Sequence, residues 1–131
     1  MKVLFIGGTG NISAACSRLA IKKDIELYLL NRGIVKKPGL ENAIFILADI
    51  MDFNSTEKAL SGMTNDVVVN YIAFTPADIE RDIKLFSGKT GQYIFISSAS
   101  AYQKPQSHWI ITESTPLANP YWDYSREKIA C

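Results

Sequence analysis

The sequence predicts an α/β fold in which a doubly wound parallel sheet, with strand order 3-2-1-4-5, carries helices on both faces. Three observations predict it. Short apolar runs alternate with segments of helical periodicity along the 131 residues. The first run leads directly into a cluster of glycines, and polar residues follow the ends of several other runs. Because the carboxyl ends of parallel strands meet at one edge of a sheet, we expect these residues to share one crevice.

The first half of the chain contains three predicted strands, Val3 to Ile6, Glu26 to Leu30 and Ala43 to Ala48. Each is an apolar run of the kind that is covered on both faces of a sheet. A helix is predicted from Asn11 to about Lys22. Its apolar residues recur at helical spacing and form the face that we expect to meet the sheet: Ile12, Ala15, Cys16, Leu19 and Ala20.

The second half continues this alternation. A short helix that ends near Leu60 has N-cap candidates at Asn54 to Glu57. The elements after it are a strand from Asp66 to Ile72, a helix from Thr75 to about Phe86, a strand from Tyr93 to Ile96 and a helix from Tyr121 onward. No repeat or linker interrupts this order, so we expect one domain over residues 1 to 131.

Composition excludes several classes of protein. With 47% hydrophobic residues and a net charge of +1, the chain has the composition of an ordinary soluble globular domain. Its lysines and arginines are dispersed, which argues against a nucleic-acid partner, and no apolar run is long enough to span a membrane. The cysteines, Cys16 and Cys131, have no metal-ligand spacing with His108, so we expect no metal and a reducing, cytoplasmic location.

The glycine cluster reads G-G-T-G-N-I-S over residues 7 to 13, and it predicts a dinucleotide site. Glycines allow a sharp turn and a close approach of the backbone to a pyrophosphate, whose charge the free N–H groups of the following helix can meet. Ser13 stands where such turns usually have a third glycine. The residues expected to contact the cofactor here are Gly7, Thr9, Gly10, Asn11 and Ile12.

Residues after the other strands extend the predicted cofactor site. Many dinucleotide folds carry an acidic residue at the end of the second strand, which binds the adenosine ribose. Here Asn31 and Arg32 take that place, and a neutral amide beside a guanidinium favours the 2'-phosphate of NADP over NAD. The alternative is that Arg32 is a solvent-facing turn residue. Further contacts are expected after the third and fourth strands, at Asp49, Ile50, Ala73 and Phe74.

Tyr124 and Lys128 are predicted to lie on one face of the last helix, because residues four apart on a helix are neighbours. A nearby ammonium favours the phenolate, so the pair is suited to proton transfer near neutral pH. Ser98, at the end of the fifth predicted strand, offers a hydroxyl about two dozen residues earlier. Ser97 and Ser100 are alternatives for its role, and an ordinary exposed Tyr and Lys pair is the alternative for the helix.

These motifs together resemble the short-chain dehydrogenase/reductase superfamily, in its extended or atypical branch, the NAD-dependent epimerase/dehydratase family. The resemblance covers all 131 residues and implies a Rossmann-type sheet. It rests on five segments: G-G-T-G-N-I-S at 7 to 13, L-L-N-R-G at 29 to 33, A-D-I at 48 to 50, Y-I-F-I-S-S-A-S-A-Y at 93 to 102 and Y-S-R-E-K at 124 to 128.

The resemblance implies a role for each matching residue. Tyr124 is the catalytic acid and base, Lys128 favours loss of its proton and binds the nicotinamide ribose, and Ser98 orients the substrate oxygen. The reaction implied is the NAD(P)-dependent epimerisation, dehydration or reduction of a nucleotide sugar or a related hydroxy or carbonyl compound. The segment between the fourth and fifth strands has room for only one helix, as in atypical members, which weakens the substrate assignment.

Members of this family are about twice as long as this chain, so the resemblance implies the N-terminal, cofactor-binding part of a longer protein. We expect the 131-residue fragment to have no useful turnover by itself. A non-catalytic dinucleotide-binding module, regulatory or RNA-associated, is the alternative function. A flavin or S-adenosylmethionine domain is less consistent with the spacing of the glycines. The assembly considered for the protein is a homodimer.

Overall fold

The computed structural model describes residues 1 to 35 and 37 to 131. Its strands are β1 (Lys2–Ile6), β2 (Glu26–Asn31), β3 (Ile44–Leu47), β4 (Asn65–Asn70) and β5 (Thr90–Phe95). Its helices are α1 (Asn11–Lys22), α2 (Phe53–Ala59), α3 (Pro76–Phe86) and α4 (Asp123–Ala130), with a 3-10 turn at Ala99–Ala101. The predicted alternation of strands and helices is therefore confirmed.

The five strands form one parallel sheet in the order β3-β2-β1-β4-β5. This is the predicted order, and the predicted α/β class is confirmed. The register pairs Ile6 with Leu30 of β2 on one side and with Asn70 of β4 on the other. The carboxyl ends of these three strands therefore lie level with one another.

The described residues group into two compact units. Unit 1 consists of Met1–Ile72 and Arg81–Ile96 and contains the whole sheet, and unit 2 consists of Ala73–Glu80 and Ser97–Cys131. In unit 1, apolar side chains alternate along the strands and form a core on each face, with Leu4 and Ile6 in one core and Val3 and Phe5 in the other. Strand β3 contributes less, because three of its four residues are exposed.

The buried face of α1 differs from the predicted one. Ile12 is 72% exposed and Leu19 53% exposed, whereas the buried residues of the helix are Ser13, Ala14, Ser17 and Ala20. The reason is close packing on the glycine turn. The Ser17 hydroxyl donates a hydrogen bond to the Gly8 carbonyl at 2.9 Å, so small side chains, not the largest apolar ones, face the turn.

The N-cap of α2 also differs from the predicted position. Residues 54 to 57 lie inside the helix, and Asp52 is the capping residue. Its Oδ1 accepts a hydrogen bond from the Ser55 N–H at 3.0 Å, which satisfies one of the free donors at the helix N-terminus. Asp52 is the N-cap because the helix begins at Phe53, one residue before the first predicted candidate, Asn54.

A buried polar network connects α3 to the sheet within unit 1. Asp82 is fully buried, and its Oδ2 accepts hydrogen bonds from Asn70 Nδ2 at 2.5 Å and from the Tyr93 hydroxyl at 2.6 Å. Its Oδ1 accepts from Nε and Nη2 of Arg81 at 3.1 and 2.9 Å. Burial, together with the Asp82 hydrogen bond, raises the pKa of Tyr93. The negative charge of Asp82 is therefore balanced by Arg81, and both carboxylate oxygens accept hydrogen bonds, as a buried charge requires.

No helix in the described part of the chain is both long and apolar enough to cross a membrane.

Candidate functional site

The predicted site residues lie in both units. In unit 1, the glycine turn follows β1. Gly7 has a φ of +89°, which favours glycine, and its carbonyl accepts hydrogen bonds from the N–H groups of Thr9 and Gly10. Gly10 is the N-cap of α1 and has no capping side chain, so the N–H groups of Asn11 and Ile12 open the helix without an intrahelical partner.

Gly8 allows the turn to lie directly against the sheet. A Cβ atom at this position would lie 2.4 Å from Cδ2 of Leu29, closer than real side chains approach. The Ser13 hydroxyl accepts a hydrogen bond from the Gly10 N–H at 2.8 Å and donates one to the Gly7 carbonyl at 3.0 Å. Ser13 therefore stabilises the turn from the position where the motif usually has glycine.

At the end of β2, the side chain of Asn31 is held in place but keeps one unused donor. Its Oδ1 accepts a hydrogen bond from the Gly33 N–H at 2.8 Å. Its Nδ2 is buried and has no hydrogen-bond partner among the described residues. Beside Asn31 lies a pocket of about 350 Å³, to which Leu40 and Phe45 contribute apolar side chains. A buried amide donor without a partner is costly, so a ligand acceptor here would be favoured.

Arg32 and Asp49 are weakly paired. Arg32 Nη1 lies 4.0 Å from Asp49 Oδ2, and both side chains are largely exposed. Oδ1 of Asp49 accepts from the Met51 N–H at 3.0 Å, which fixes the turn after β3. Ile50 is 3% exposed and belongs to the core, so its side chain is not available to a ligand in this structure.

The glycine turn and the β2 end fit a dinucleotide. The N–H groups of Asn11 and Ile12 open α1 without an intrahelical partner, and Asn31 provides an unused buried donor. Within the described ranges, no group of three metal-ligating His, Cys, Asp or Glu side chains is found.

In unit 2, Lys128 and Tyr124 of α4 lie side by side, as their spacing predicts. Lys128 is 4% exposed, and its Nζ lies 5.7 Å from the centre of the Tyr124 ring. The same Nζ donates a hydrogen bond to the Ala73 carbonyl at 2.6 Å and lies 4.9 Å from the centre of the Phe74 ring. The structure thus brings four of the predicted site residues together.

Asp78 holds the segment that receives Lys128, and sequence reasoning missed it. The Asp78 carboxylate is 6% exposed and accepts hydrogen bonds from the N–H groups of Phe74 and Thr75 and from the Thr75 hydroxyl. The sequence T-P-A-D over residues 75 to 78 has the spacing of a capping box, which was the available signal. Burial lowers the pKa of Lys128, and the charges of Cys131 and Asp78 oppose that shift.

Ser98 caps the 3-10 turn of unit 2. Its Oγ accepts a hydrogen bond from the Ser100 N–H at 3.2 Å and lies 2.9 Å from Ser100 Oγ. Asn119, also missed from the sequence, donates to the Ser100 carbonyl at 2.8 Å and to Ser125 Oγ at 3.3 Å. These bonds connect the turn that carries Ser98 to α4, because Ser125 is a fully buried residue of that helix. Ser97 is exposed.

Two half-exposed aromatic rings contact Tyr124. The Trp122 ring lies 4.8 Å from the Tyr124 ring, and the Phe74 ring lies 6.2 Å from it, measured between centres. Trp122 is 56% exposed and Phe74 44% exposed. Tyr124 therefore lies in a partly open aromatic cluster beside a buried cation.

Comparisons with known proteins show where this fold occurs. No family model matches the chain, and no curated protein matches it. Solved structures do. The UDP-Glc/GlcNAc 4-epimerase of Campylobacter jejuni matches with a TM-score of 0.82 and 22% identity, over 98% of this chain and 46% of its own. UDP-glucose 4-epimerase of Bifidobacterium longum, in complex with NAD+ and UDP, matches with a TM-score of 0.82 and 18% identity, over 98% and 46%.

A third similar structure is the dTDP-glucose 4,6-dehydratase of Bacillus anthracis, in complex with NAD. Its TM-score is 0.76 and its identity 18%, over 99% of this chain and 47% of its own. The chain thus spans less than half the length of each of these three structures. At these identities the likeness establishes the fold. The chain shares its fold with nucleotide-sugar epimerases and dehydratases, which confirms, at the level of the fold, the resemblance found in its sequence.

Proposed function

We propose that this chain is the cofactor-binding part of an NAD(P)-dependent epimerase, dehydratase or reductase that acts on a nucleotide sugar or a related hydroxy or carbonyl compound. One observation carries the proposal: in unit 2, the buried ammonium of Lys128 lies 5.7 Å from the centre of the Tyr124 ring. The neighbours in fold support it, since two of them were solved with NAD. The substrate class is proposed from the same neighbours.

We propose that unit 1 binds the dinucleotide. The N–H groups of Asn11 and Ile12, which follow the turn of Gly7, Thr9 and Gly10, would bind the pyrophosphate, and Asn31 Nδ2 would donate to an oxygen of the adenosine ribose. Asp49, with the backbone of Ile50, would contact the adenine. The bound dinucleotide supplies a hydride acceptor and donor.

Lys128 and Ser98 would prepare Tyr124 for proton transfer. The Tyr124 phenolate would take the proton of a substrate hydroxyl as a general base, and the phenol so formed would return it as a general acid. Lys128 stabilises the phenolate electrostatically, because its charged Nζ is held in place by the Ala73 carbonyl. Ser98 would donate a hydrogen bond to the substrate oxygen and keep it within reach of Tyr124.

We propose NADP as the preferred cofactor over NAD. The Arg32 side chain is 66% exposed. Among the described residues, the ion-pair partner of its guanidinium is Asp49, at 4.0 Å. A 2'-phosphate could therefore replace Asp49 as its partner through shorter, charge-assisted hydrogen bonds.

Turnover of UDP-glucose by the full-length protein, with NADP or NAD, tests the proposal. We expect Tyr124→Phe to lower kcat by about 10² to 10⁴-fold, as loss of a general acid and base does, with unchanged dinucleotide affinity. Tyr121→Phe, which removes the hydroxyl of a tyrosine that is 75% exposed, is the control. Unaltered kcat in Tyr124→Phe would contradict the proposal. Dinucleotide binding without turnover of UDP-glucose or dTDP-glucose would favour a non-catalytic module.

We also propose that the 131-residue chain alone has no useful turnover. Clear NADP-dependent turnover of a nucleotide sugar by this chain would refute that expectation.

A further inference from the structure

We propose that Trp122 is a specificity-determining residue, whose indole packs against the apolar face of the sugar ring that Tyr124 acts on. This inference rests on the proposed function and adds a contact with the substrate. It concerns unit 2 only.

The position of the indole supports a ligand contact. The Trp122 ring lies 4.8 Å from the Tyr124 ring at an angle of 40°, and the Phe74 ring lies on Tyr124 at 6.2 Å and 48°. Tyr124 is therefore next to two other rings that both keep a large exposed area. A ligand that covers this apolar surface removes it from water, and that removal favours binding beside the reactive group.

The side chain of Trp122 is not needed to begin α4. Trp122 is the N-cap, but its carbonyl makes the capping contacts, accepting hydrogen bonds from the N–H groups of Ser125 at 3.0 Å and Arg126 at 3.1 Å. Its side chain makes no capping hydrogen bond. A residue with any side chain could supply the same carbonyl, so the start of the helix does not explain an indole here.

The chemistry of the reaction selects the group that covers the indole. Proton transfer requires the substrate hydroxyl within hydrogen-bond distance of the Tyr124 hydroxyl. A hexose ring carries hydroxyls at its rim and apolar C–H groups on its faces. It can therefore present a hydroxyl to Tyr124 while its C–H face lies on Trp122. The base of a nucleotide sugar is separated from that hydroxyl by two phosphates, so it is the less suitable partner.

Trp109 provides a matched control. It is the other of the two tryptophans in the chain and is 83% exposed. Its ring stacks on His108 at 5.9 Å in the loop that precedes α4. The single substitution Trp109→Phe therefore leaves Trp122 as the only tryptophan among residues 1 to 131.

The first experiment compares full-length Trp109→Phe protein with the double variant Trp109→Phe, Trp122→Phe during titration with UDP-glucose, UDP or NAD. The difference in fluorescence between the two proteins is the signal of Trp122. We expect a saturable change with UDP-glucose that is at least twofold larger than the change with UDP or with NAD. An equal change with UDP would assign the indole to the nucleotide, and an equal change with NAD would assign it to the cofactor. Either result, or no change with UDP-glucose, would overturn the inference.

The second experiment separates substrate binding from helix structure. We expect Trp122→Ala to raise the KM for UDP-glucose about tenfold with unchanged kcat, and Trp122→Phe to recover most of the affinity. If Trp122 had only a structural role, Trp122→Ala would instead lower kcat, because Tyr124 would be misplaced. That result would overturn the inference. Failure of NAD and NADP to bind the wild-type protein would refute the proposed function instead.

Discussion

Two buried carboxylates of the same helix show how unit 1 differs from unit 2. Asp82, in unit 1, accepts hydrogen bonds from Asn70, Tyr93 and Arg81 and is fully buried. Asp78, in unit 2, accepts from the backbone of residues 74 and 75, the segment next to the carbonyl that receives Lys128. The first carboxylate closes a network within the fold, and the second positions a segment that faces a cation and exposed rings.

The difference teaches what distinguishes a structural polar network from a candidate site. Around Asp82, charge and hydrogen bonds are satisfied by Asn70, which is fully buried, and by Arg81 and Tyr93, which are partly buried, so little is left for a ligand. Around Lys128, a buried cation lies beside the Phe74 ring, which is 44% exposed, and beside the Tyr124 ring, which is partly buried. Burial of a charge next to open apolar surface is typical of a functional site, and burial within a closed network is typical of a core.

The largest expected effect tests the structural role of Asp82. Asp82→Ala removes the buried carboxylate that accepts hydrogen bonds from the Arg81 guanidinium, 11% exposed, and from the Tyr93 hydroxyl. Breaking a buried pair in this way costs about 3 to 5 kcal/mol of unfolding free energy. Chemical denaturation measures it. Glu80→Ala, an exposed carboxylate of the same helix, is the control and should change stability by less than about 0.5 kcal/mol.

A smaller effect is expected at the glycine turn of unit 1. Gly8→Ala places a Cβ 2.4 Å from Leu29 Cδ2, and overpacking of this kind costs about 1 to 3 kcal/mol. Thermal or urea unfolding measures the loss. If the contact with Leu29 is the cause, the double variant Gly8→Ala with Leu29→Ala should be more stable than the sum of the two single effects. Simple additivity would show that the close approach is not the reason for this glycine.

Arg32 should behave in the opposite way to Asp82, although both are charged residues of unit 1. Its guanidinium is exposed and only 4.0 Å from Asp49, so Arg32→Ala should change stability by less than about 0.5 kcal/mol. The affinity of the Arg32→Ala protein for NADP should be about tenfold lower than that of the wild type, and its affinity for NAD should be unchanged. The thermal shift on titration with each dinucleotide measures both. Equal losses for NAD and NADP would argue against a contact with the 2'-phosphate.

The smallest effect is a slope with pH, and it belongs to unit 2. Burial lowers the pKa of Lys128, so between its lowered value and the ordinary value the unfolded chain binds more protons than the folded one. Stability of the wild type relative to Lys128→Met should therefore rise with pH through that alkaline window. Denaturation at several pH values measures the difference. A relative stability that falls as pH rises would contradict the direction of the shift.

Several features of the fold were predictable because they depend on neighbours in sequence. The bounds of α1 and α3 match their predicted ranges closely, since helical periodicity and terminal signals lie within the segments themselves. The sheet order follows from alternation and handed crossovers. The adjacency of Tyr124 and Lys128 follows from the helical repeat. For these features, local geometry leaves few alternatives.

Other features required the distant partner to be known. The predicted face of α1 was right at Ala20 and Cys16 and wrong at Ile12, Ala15 and Leu19, because the turn carbonyl that receives Ser17 outweighs the apolar pattern of the helix. Nothing near Asp82 in the sequence indicates its bonds to Asn70 and Tyr93. The capping pattern at Thr75 was visible, but its use in holding the segment that receives Lys128 was not.

By itself, the sequence determined the order of the elements, the glycine turn and the placing of a phenol and an ammonium on one helix face, because each depends on spacing within a short segment. The tertiary structure decided which side chains are buried and what they meet. Lys128 and the carbonyl of Ala73 are 55 positions apart in the chain. The burial of that ammonium and the exposure of Trp122 beside Tyr124 arise only when distant segments pack, because solvent is excluded by neighbours in space.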